Sequence, residues 1–314
     1  MKLKVVFMGT PEFAVPTLKK LLHEADVVAV YTQPDKPVGR GLQMQPSPVK
    51  RVALEAGIPV FTPEKVSLPE EVEKLKTYHA DFFVIVAYGQ ILKLPVIETP
   101  KYGCINIHSS LLPRWRGAAP IHSALLSGDE ETGITTMRIV PKLDAGDMLM
   151  QAKTKINQDD TAQSLHDRLS LMGADLIIPT LQGIIDGSIR PVIQDESLVT
   201  YAHKLTKEME AVNPHKTVKE IDLQVRALNP WPGTRIETTE GLKLKIKTGK
   251  PSAKKNVGTA GQLVVEMNAL LLQCADGAYE ITGLQEEGKK AVPTADFLNG
   301  IKNRNLSFPQ EVKA

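Results

Sequence analysis

The first 32 residues alternate apolar and amphipathic stretches in an order that narrows the possible folds. Residues 3–8 form a short, continuous, valine-rich apolar run, which is typical of a buried strand. A helix is predicted from Pro11 to about His23, with Thr10 as its N-cap and Pro11 at the first helical position. Residues 27–32 are the next apolar strand. Because strand, helix and strand follow one another this closely, the segment predicts a βαβ unit and a parallel sheet.

This alternation continues to about residue 206 and then gives way to a different pattern. Further apolar strands at residues 82–87 and 104–108 predict an α/β domain over residues 1–206, with a Rossmann-like, mostly parallel sheet and flanking helices. From residue 207 onward, a helix is followed by short strand-like runs that Gly and Asp turns separate. Several short strands at this spacing predict a small OB-like β-barrel domain over residues 207–314.

Composition and local pattern disfavour several classes of protein. Only Gly9 follows the first strand, so the glycine fingerprint of dinucleotide binding is missing and a dinucleotide-dependent oxidoreductase is weakly supported. The two cysteines form neither a disulfide framework nor a metal-ligand cluster, and no metal is predicted. Reduced thiols fit a cytoplasmic protein. With no secretory signal and no apolar run of roughly 18 residues, we expect no membrane contact, and a monomer is the simplest expectation.

Two polar side chains alternate with apolar ones in the strand at residues 104–108. Because side chains two residues apart in a strand share a face, Asn106 and His108 should stand side by side where the strand ends. That is where open α/β sheets bind their ligands. An amide that donates to an oxyanion and an imidazole that titrates near neutral pH suit acyl transfer. The plain alternative is a pair of residues that cap a turn.

The stretch that follows carries a more specific signal. Residues 110–121 read Ser-Leu-Leu-Pro-Arg-Trp-Arg-Gly-Ala-Ala-Pro-Ile. This resembles the signature of the folate-dependent formyltransferases, most closely the members that formylate the initiator methionyl-tRNA of bacteria and organelles. The resemblance spans nearly the whole chain. It implies 10-formyltetrahydrofolate as formyl donor, the α-amino group of methionine on initiator tRNA as acceptor, and a role in translation initiation.

The resemblance also implies roles for particular residues. Asp144 alone is more typical of a plain turn residue, but residues 143–147 match a Leu-Asp-x-Gly-Asp turn whose Asp completes an Asn, His, Asp triad in the family. In that triad, Asp144 would orient the imidazole of His108 and favour its charged form. The segment at residues 86–91 would line the pterin pocket. The residues expected to bound the folate are Ser110, Leu111, Leu112 and Pro113.

Two basic segments are candidate tRNA contacts. A loop at residues 33–48 contains Lys36 and Arg40, and in the family this loop enters the acceptor end of the tRNA. The alternative is a solvated mobile loop. Residues 242–247 alternate leucine or isoleucine with Lys243, Lys245 and Lys247, and no acidic residue occurs from 241 to 265. That lysine face is either a solvated sheet surface or a surface that contacts phosphates.

Other functions stay open at the level of sequence. A formyltransferase for a nucleotide or sugar amine, or a formyltetrahydrofolate hydrolase, would share the triad but would need no basic loop or basic barrel. An RNA-binding module without catalysis would leave Asn106, His108 and Asp144 unexplained. One departure from the family pattern concerns residues 212–214, where Val-Asn-Pro stands in place of the usual Ile-Asp-Trp, so the geometry of the hinge is not predicted.

Overall fold

The structure is a computed structural model of the 314-residue chain and describes residues 2–38, 43–301, 306 and 308–313. Its internal contacts group the chain into two units. The first comprises Met1–Pro120, Glu131–Lys155 and His166–Ala202, and the second comprises Ile121–Glu130, Ile156–Leu165 and His203–Ala314. The division between residues 206 and 207 that the sequence suggests stays a prediction.

A seven-stranded sheet forms the centre of the first unit. The strands of this unit are, in chain order, β1 (Lys4–Gly9), β2 (Asp26–Tyr31), β3 (Lys36–Val38), β4 (Gln43–Gln45), β5 (Val60–Phe61), β6 (Phe82–Val86), β7 (Cys104–His108), β8 (Arg116–Gly117), β9 (Glu131–Arg138), β10 (Met148–Lys155) and β11 (Tyr201–Ala202). The order across the sheet is β10-β9-β7-β6-β1-β2-β5. Five neighbouring strands of this sheet are parallel, namely β5, β2, β1, β6 and β7. At the β7 edge, β9 and β10 add an antiparallel hairpin. This confirms the predicted Rossmann-like, mostly parallel sheet.

The strand order places a crevice at one edge of this sheet. From β1 the chain passes to β2 and β5 on one side and then returns to β6 on the other, so the order reverses between β1 and β6. Ligands of open α/β sheets bind outside the carboxyl ends of strands near such a reversal. Gly9, Val86 and His108 end β1, β6 and β7 at this edge.

The basic loop at residues 33–48 is in part a small hairpin. Strand β3 pairs with β4 in an antiparallel register. The hydroxyls of Thr32 and Ser47 lie 2.7 Å apart at its base, where Lys50 Nζ also lies 2.8 Å from Asp35 Oδ2. These contacts close the base of a segment that composition alone predicts as a loop. Arg40 lies outside the described residues.

Eight helices are described: α1 (Val15–Glu24), α2 (Pro48–Glu55), α3 (Pro69–Thr77), α4 (Leu94–Ile97), α5 (Pro120–Leu126), α6 (Ala162–Ile185), α7 (Val218–Leu228) and α8 (Thr294–Ile301). The first is preceded by a 3₁₀ turn, Glu12–Ala14, and Thr10 does not cap either one. The N-cap prediction for Thr10 is therefore wrong. Its hydroxyl donates to the Tyr88 carbonyl at 2.9 Å, because the chain after β6 returns beside the end of β1. In the described part, no helix combines the length and the apolar character that a bilayer span requires.

One face of the first sheet packs into a continuous core with α3 and α4. Its members come from neighbouring strands and from these helices, and most are fully buried: Val6, Met8, Ala29, Tyr31, Val72, Leu75, Phe83, Ile85 and Val96. Fully burying one such side chain stabilises a fold by roughly 1.5–3 kcal/mol. This buried core therefore stabilises the strands whose carboxyl ends form the crevice.

The second unit is a small antiparallel barrel. Its strands are β12 (Thr234–Glu237), β13 (Lys243–Pro251), β14 (Gln262–Glu266), β15 (Ala269–Gln273), β16 (Ala278–Glu286), β17 (Val292–Pro293) and β18 (Gln310–Glu311). They pair in the order β12-β13-β16-β15-β14-β18. The first and last strands meet, since Thr239 N donates to Glu311 O and Lys313 N donates to Glu237 O, both at 2.8 Å. The predicted barrel is confirmed, whereas α8 had no counterpart in the sequence prediction.

The residues before the barrel are attached to it. A 3₁₀ turn, Lys207–Glu210, is followed by Val212, which is buried and donates its N–H to Arg235 O at 2.9 Å. Helix α7 then begins with a capping box between Thr217 and Glu220. The sequence did not predict the geometry of residues 212–214. In the structure, this segment is anchored on β12 through the hydrogen bond of Val212.

Candidate active site

Strand β7 presents Asn106 and His108 on one face at the carboxyl edge of the sheet. Asn106 lies between Ile85 of β6 and Met137 of β9, and His108 lies opposite Thr135 of β9. His108 is buried, and Asn106 is half-buried. Within the described residues the Asn106 carboxamide makes no hydrogen bond. It therefore keeps its N–H donors for a ligand in the crevice.

The imidazole of His108 lies between a carbonyl and a carboxylate. Its Nε2 is 2.8 Å from Trp115 O, and its Nδ1 is 3.8 Å from Asp144 Oδ2. Because a carbonyl oxygen only accepts, Nε2 must carry a proton and donate it. The carboxylate is too far for a hydrogen bond but lies within ion-pair distance of the ring. The structure thus brings Asp144 to the pair that the strand pattern predicts.

Asp144 occupies a strained turn that a second hydrogen bond orients. Its φ is +44°, which is unusual for a residue other than glycine. Its Oδ2 accepts the N–H of Gly117 at 2.9 Å. Gly117 has φ +118°, and a Cβ there would lie 2.6 Å from Ala202 O, so this position requires glycine. The carboxylate therefore faces both the imidazole and the backbone of β8.

A buried glutamine, which the sequence analysis missed, supports this turn. Gln194 Nε2 donates to Asp144 O and to Gly146 O, each at 2.8 Å. Its Oε1 accepts from Arg116 Nε at 2.9 Å, and Arg116 Nη2 donates to Glu196 Oε1 at 3.0 Å. The Arg116 side chain is fully buried. No local pattern marks Gln194, because it lies 50 positions from Asp144 in the chain.

The segment after Gln194 also holds the loop that follows β7. Thr200 accepts the Trp115 N–H with its hydroxyl and the Arg116 N–H with its carbonyl, both at 2.9 Å. Strand β8 then pairs with β11 in parallel. Trp115 has φ +66°, a conformation that persists only where the surroundings enforce it. This pairing fixes the carbonyl that accepts from His108.

The four predicted folate contacts are largely engaged within the protein. Ser110 is fully buried, and its hydroxyl donates to Arg114 O at 2.6 Å. Leu112 is buried, its N–H donates to Thr135 Oγ1, and its carbonyl accepts from Gln151 Nε2. Leu111 and Pro113 are half-buried. Folate binding by these residues stays a prediction, for which the half-buried pair offers the accessible surface.

The segment after β6 combines strain with exposed apolar surface. Ala87 has φ +46° and is exposed, whereas Tyr88 is buried. Ile91 is 85% exposed, which is high for a large apolar side chain. That residues 86–91 line a pterin pocket stays a prediction, for which Ile91 offers exposed apolar surface.

The lysines of β13 alternate with apolar residues as predicted, but they differ in whether a carboxylate lies close to them. Leu244 and Ile246 are buried, and Lys243 is half-buried with its Nζ 3.7 Å from Glu287 Oε2. Within the described residues Lys245 and Lys247 form no ion pair. The positive surface therefore rests on these two lysines. In the first unit, Lys36 is exposed on β3.

The described residues provide neither a cluster of metal ligands nor a reactive thiol. Over the described ranges, no group of three or more His, Cys, Asp or Glu side chains could hold a metal ion. Both cysteines are buried free thiols. Burial raises the pKa of the Cys274 thiol to about 12 and also raises the pKa of the Cys104 thiol. Neither residue therefore offers a thiolate nucleophile near neutral pH.

Two family models match the chain. The model described as Formyl transferase matches residues 1–181, and the one described as Formyl transferase, C-terminal domain, matches residues 204–302. A protein of Methylococcus capsulatus named methionyl-tRNA formyltransferase is 47% identical over 298 residues, covering 95% of this chain and 96% of that protein. A protein of the same name from Geotalea uraniireducens is 46% identical over 303 residues, covering 96% of each.

Solved structures share the fold at lower identity. WlaRD, described as a sugar 3N-formyl transferase in the presence of dTDP and 5-N-formyl-THF, covers 92% of this chain and 100% of its own, with a TM-score of 0.67 and 22% identity. HypX from Aquifex aeolicus in complex with tetrahydrofolic acid covers 100% of this chain and 51% of its own, with a TM-score of 0.64 and 15% identity.

The hydrogen bond to Trp115 O predicts the tautomer of His108. In the neutral ring the proton should reside on Nε2, since the carbonyl accepts it. Long-range ¹H–¹⁵N correlation spectra of protein labelled with ¹⁵N-histidine distinguish the two tautomers. A His108→Gln variant assigns the signal among the seven histidines. A neutral ring protonated on Nδ1 would contradict this arrangement.

Proposed function

This chain belongs to the formyl transferase family, and we propose that it transfers the formyl group of 10-formyltetrahydrofolate to the α-amino group of methionine on initiator tRNA. The product is N-formylmethionyl-tRNA for translation initiation. The meeting of Asn106, His108 and Asp144 at the sheet edge carries the proposal. Its substrate is supported by relatives named methionyl-tRNA formyltransferase, which are 42–47% identical over about 95% of the chain.

The formyl donor is a folate. The solved relatives with tetrahydrofolic acid or 5-N-formyl-THF support a reduced folate in this fold. The pterin would bind in the crevice beside Ile91, and the chain from Ser110 to Pro113 would bound it. Since Leu112 N and O are already hydrogen-bonded within the protein, apolar contact from Leu111 and Pro113 supplies most of that boundary.

The side chains suit attack of a neutral amine on a formyl carbon. The attack turns the formyl oxygen into an oxyanion, to which Asn106 donates an amide N–H. His108 Nε2–H is the second donor, because it needs only to turn from Trp115 O to this oxygen. The net reaction moves one proton from the amine to the folate nitrogen as the C–N bond to folate breaks. Because Nε2 already carries a proton, the proton that the amine loses would be held between His108 Nδ1 and Asp144 Oδ2 before it reaches the folate nitrogen.

The tRNA would contact both units. Lys36 and Arg40, in the basic segment at residues 33–48, are the contacts proposed for the acceptor end, and Lys243, Lys245 and Lys247 are those proposed on the barrel. Phosphate contacts of this kind supply affinity that falls as salt rises. Free thiols at both cysteines support a reducing, cytoplasmic setting, in which the chain would act as a monomer without a metal.

A formyl-transfer assay tests the function directly. Labelled 10-formyltetrahydrofolate is mixed with the protein and with methionyl-tRNA of the initiator type, the elongator type, or no RNA. We expect label on the initiator species alone. The fold shared with WlaRD, a sugar 3N-formyl transferase, makes a sugar amine the alternative acceptor to test. Transfer of label to a sugar amine would favour this alternative. RNA binding without any transfer would contradict the enzymatic proposal.

Removal of either polar side chain on β7 should impair the chemical step. Asn106→Ala should lower kcat by about 10²–10³-fold, the typical loss of one oxyanion donor. His108→Ala should lower it by about 10²–10⁴-fold. Binding of initiator tRNA, measured by filter retention, should stay near the wild-type value in both.

Asn157→Ala is the matched control, since Asn157 is exposed and belongs to the segment between β10 and α6. It should leave kcat unchanged. Near-normal turnover in both β7 variants would contradict the assigned chemistry.

The lysines of β13 should differ in their effect on tRNA affinity. Lys245→Ala and Lys247→Ala should each weaken binding and reduce the slope of log K against log salt by about 1. Lys243→Ala should do less, because Glu287 already neutralises that charge. Lys250→Ala is the control on the same strand, since Glu280 lies 3.6 Å from it. Equal effects at all four positions would contradict the proposed surface.

A further inference from the structure

We propose that Gln194 is a positioning residue for the reaction, which acts by holding Asp144 in the turn from which its carboxylate faces His108. The inference rests on the proposed function and extends it to a side chain far from the triad in sequence. Gln194 is 4% exposed, and its amide contacts both the turn that bears the Asp144 carboxylate and Arg116, which precedes the residue that donates to that carboxylate.

The hydrogen bonds of this amide determine its orientation. A primary amide has two N–H donors, and Gln194 directs Nε2 at two carbonyls, those of Asp144 and Gly146. Its oxygen accepts from Arg116 Nε. If the amide were flipped, its oxygen would face two carbonyls and its NH₂ would face an N–H donor. Only one orientation satisfies all three neighbours.

These bonds support a backbone that is unfavourable by itself. Asp144 has φ +44°, and such conformations persist where surrounding structure over-determines them. Gln194 holds the turn at two of its residues, Asp144 and Gly146. The direction of the Asp144 side chain follows from that backbone, and with it the 3.8 Å separation between Asp144 Oδ2 and His108 Nδ1.

The same amide sets the distance between the turn and β8. Arg116 precedes Gly117, whose N–H donates to the Asp144 carboxylate. Gln194 therefore joins the residue that bears the carboxylate to the residue next to its hydrogen-bond donor. A misplacement of about 1 Å at a reacting constellation can cost roughly 10²-fold in rate.

Gln194→Glu separates this role from simple stability. Glutamate has the same shape and still accepts from Arg116, but it replaces the donating nitrogen with an oxygen that repels the two carbonyls. We expect kcat per folded enzyme to fall by about 10²-fold, while KM for the formyl-folate and for initiator methionyl-tRNA stays near the wild-type value. Gln194→Asn keeps the amide but is too short to reach all three partners, and it should show the same split if the glutamate variant does not fold.

A matched control exists in the barrel. Gln273 is also buried, at 6% exposure, and its Nε2 also donates to backbone carbonyls, those of Lys255, Cys274 and Gly277. Gln273→Glu should lower the melting temperature through the same repulsion but leave kcat per folded enzyme unchanged.

A double-mutant cycle with Asp144→Asn decides whether Gln194 acts through Asp144. We expect the double variant to turn over no more slowly than Asp144→Asn alone, because the carboxylate that Gln194 positions is already lost. Two results would overturn this inference but leave the proposed function standing, provided that the wild type is active. One is full kcat in the Gln194 variants, and the other is a double variant whose loss in kcat equals the product of the two single losses. A wild-type chain without transfer would overturn the proposed function as well.

Discussion

The hydrogen bond from Gly117 N–H to Asp144 Oδ2, 2.9 Å long, connects the parts of the candidate site. It joins the loop after β7 to the turn before β10, and it leaves the carboxylate 3.8 Å from the imidazole of His108. Its donor must be a glycine because β11 approaches so closely. Its acceptor needs a strained backbone. Three segments far apart in the chain must therefore fold correctly before this bond can form.

The sequence predicted the parts of the site that depend on local pattern. Alternation along β7 placed Asn106 and His108 on one face, because strand geometry follows from consecutive residues. Asp144 came from resemblance to a family, since a turn aspartate has many ordinary uses. Gln194 and its contact with the buried Arg116 could not be predicted, because they depend on segments far apart in the chain. Thr10 was assigned wrongly for the same reason: a carbonyl from residue 88 competes with the helix end for its hydroxyl.

The barrel shows a similar limit for charge. The alternation of residues 242–247 correctly predicted a buried face and a lysine face. The charge of that face, however, also depends on the strand beside it. Glutamates on β16 and just after it lie across from the lysines, among them Glu280 and Glu287. A run of residues without acids is therefore less basic in the folded barrel than in the sequence, and only a fraction of its lysines is available to an RNA.

The pairing of β8 with β11 bears on where this protein can be divided. The first family model ends at residue 181 and the second begins at residue 204. The interval that neither model covers contains Gln194, Thr200 and Ala202. The sequence pattern assigns that interval to the α/β domain predicted over residues 1–206. In the folded chain the interval is hydrogen-bonded to the loop after β7 through Gln194, Glu196, Thr200 and Ala202. A chimera that joins the first half of this chain to another carboxyl-terminal domain must therefore inherit the interval with the first half, as part of the catalytic module and not as a tether.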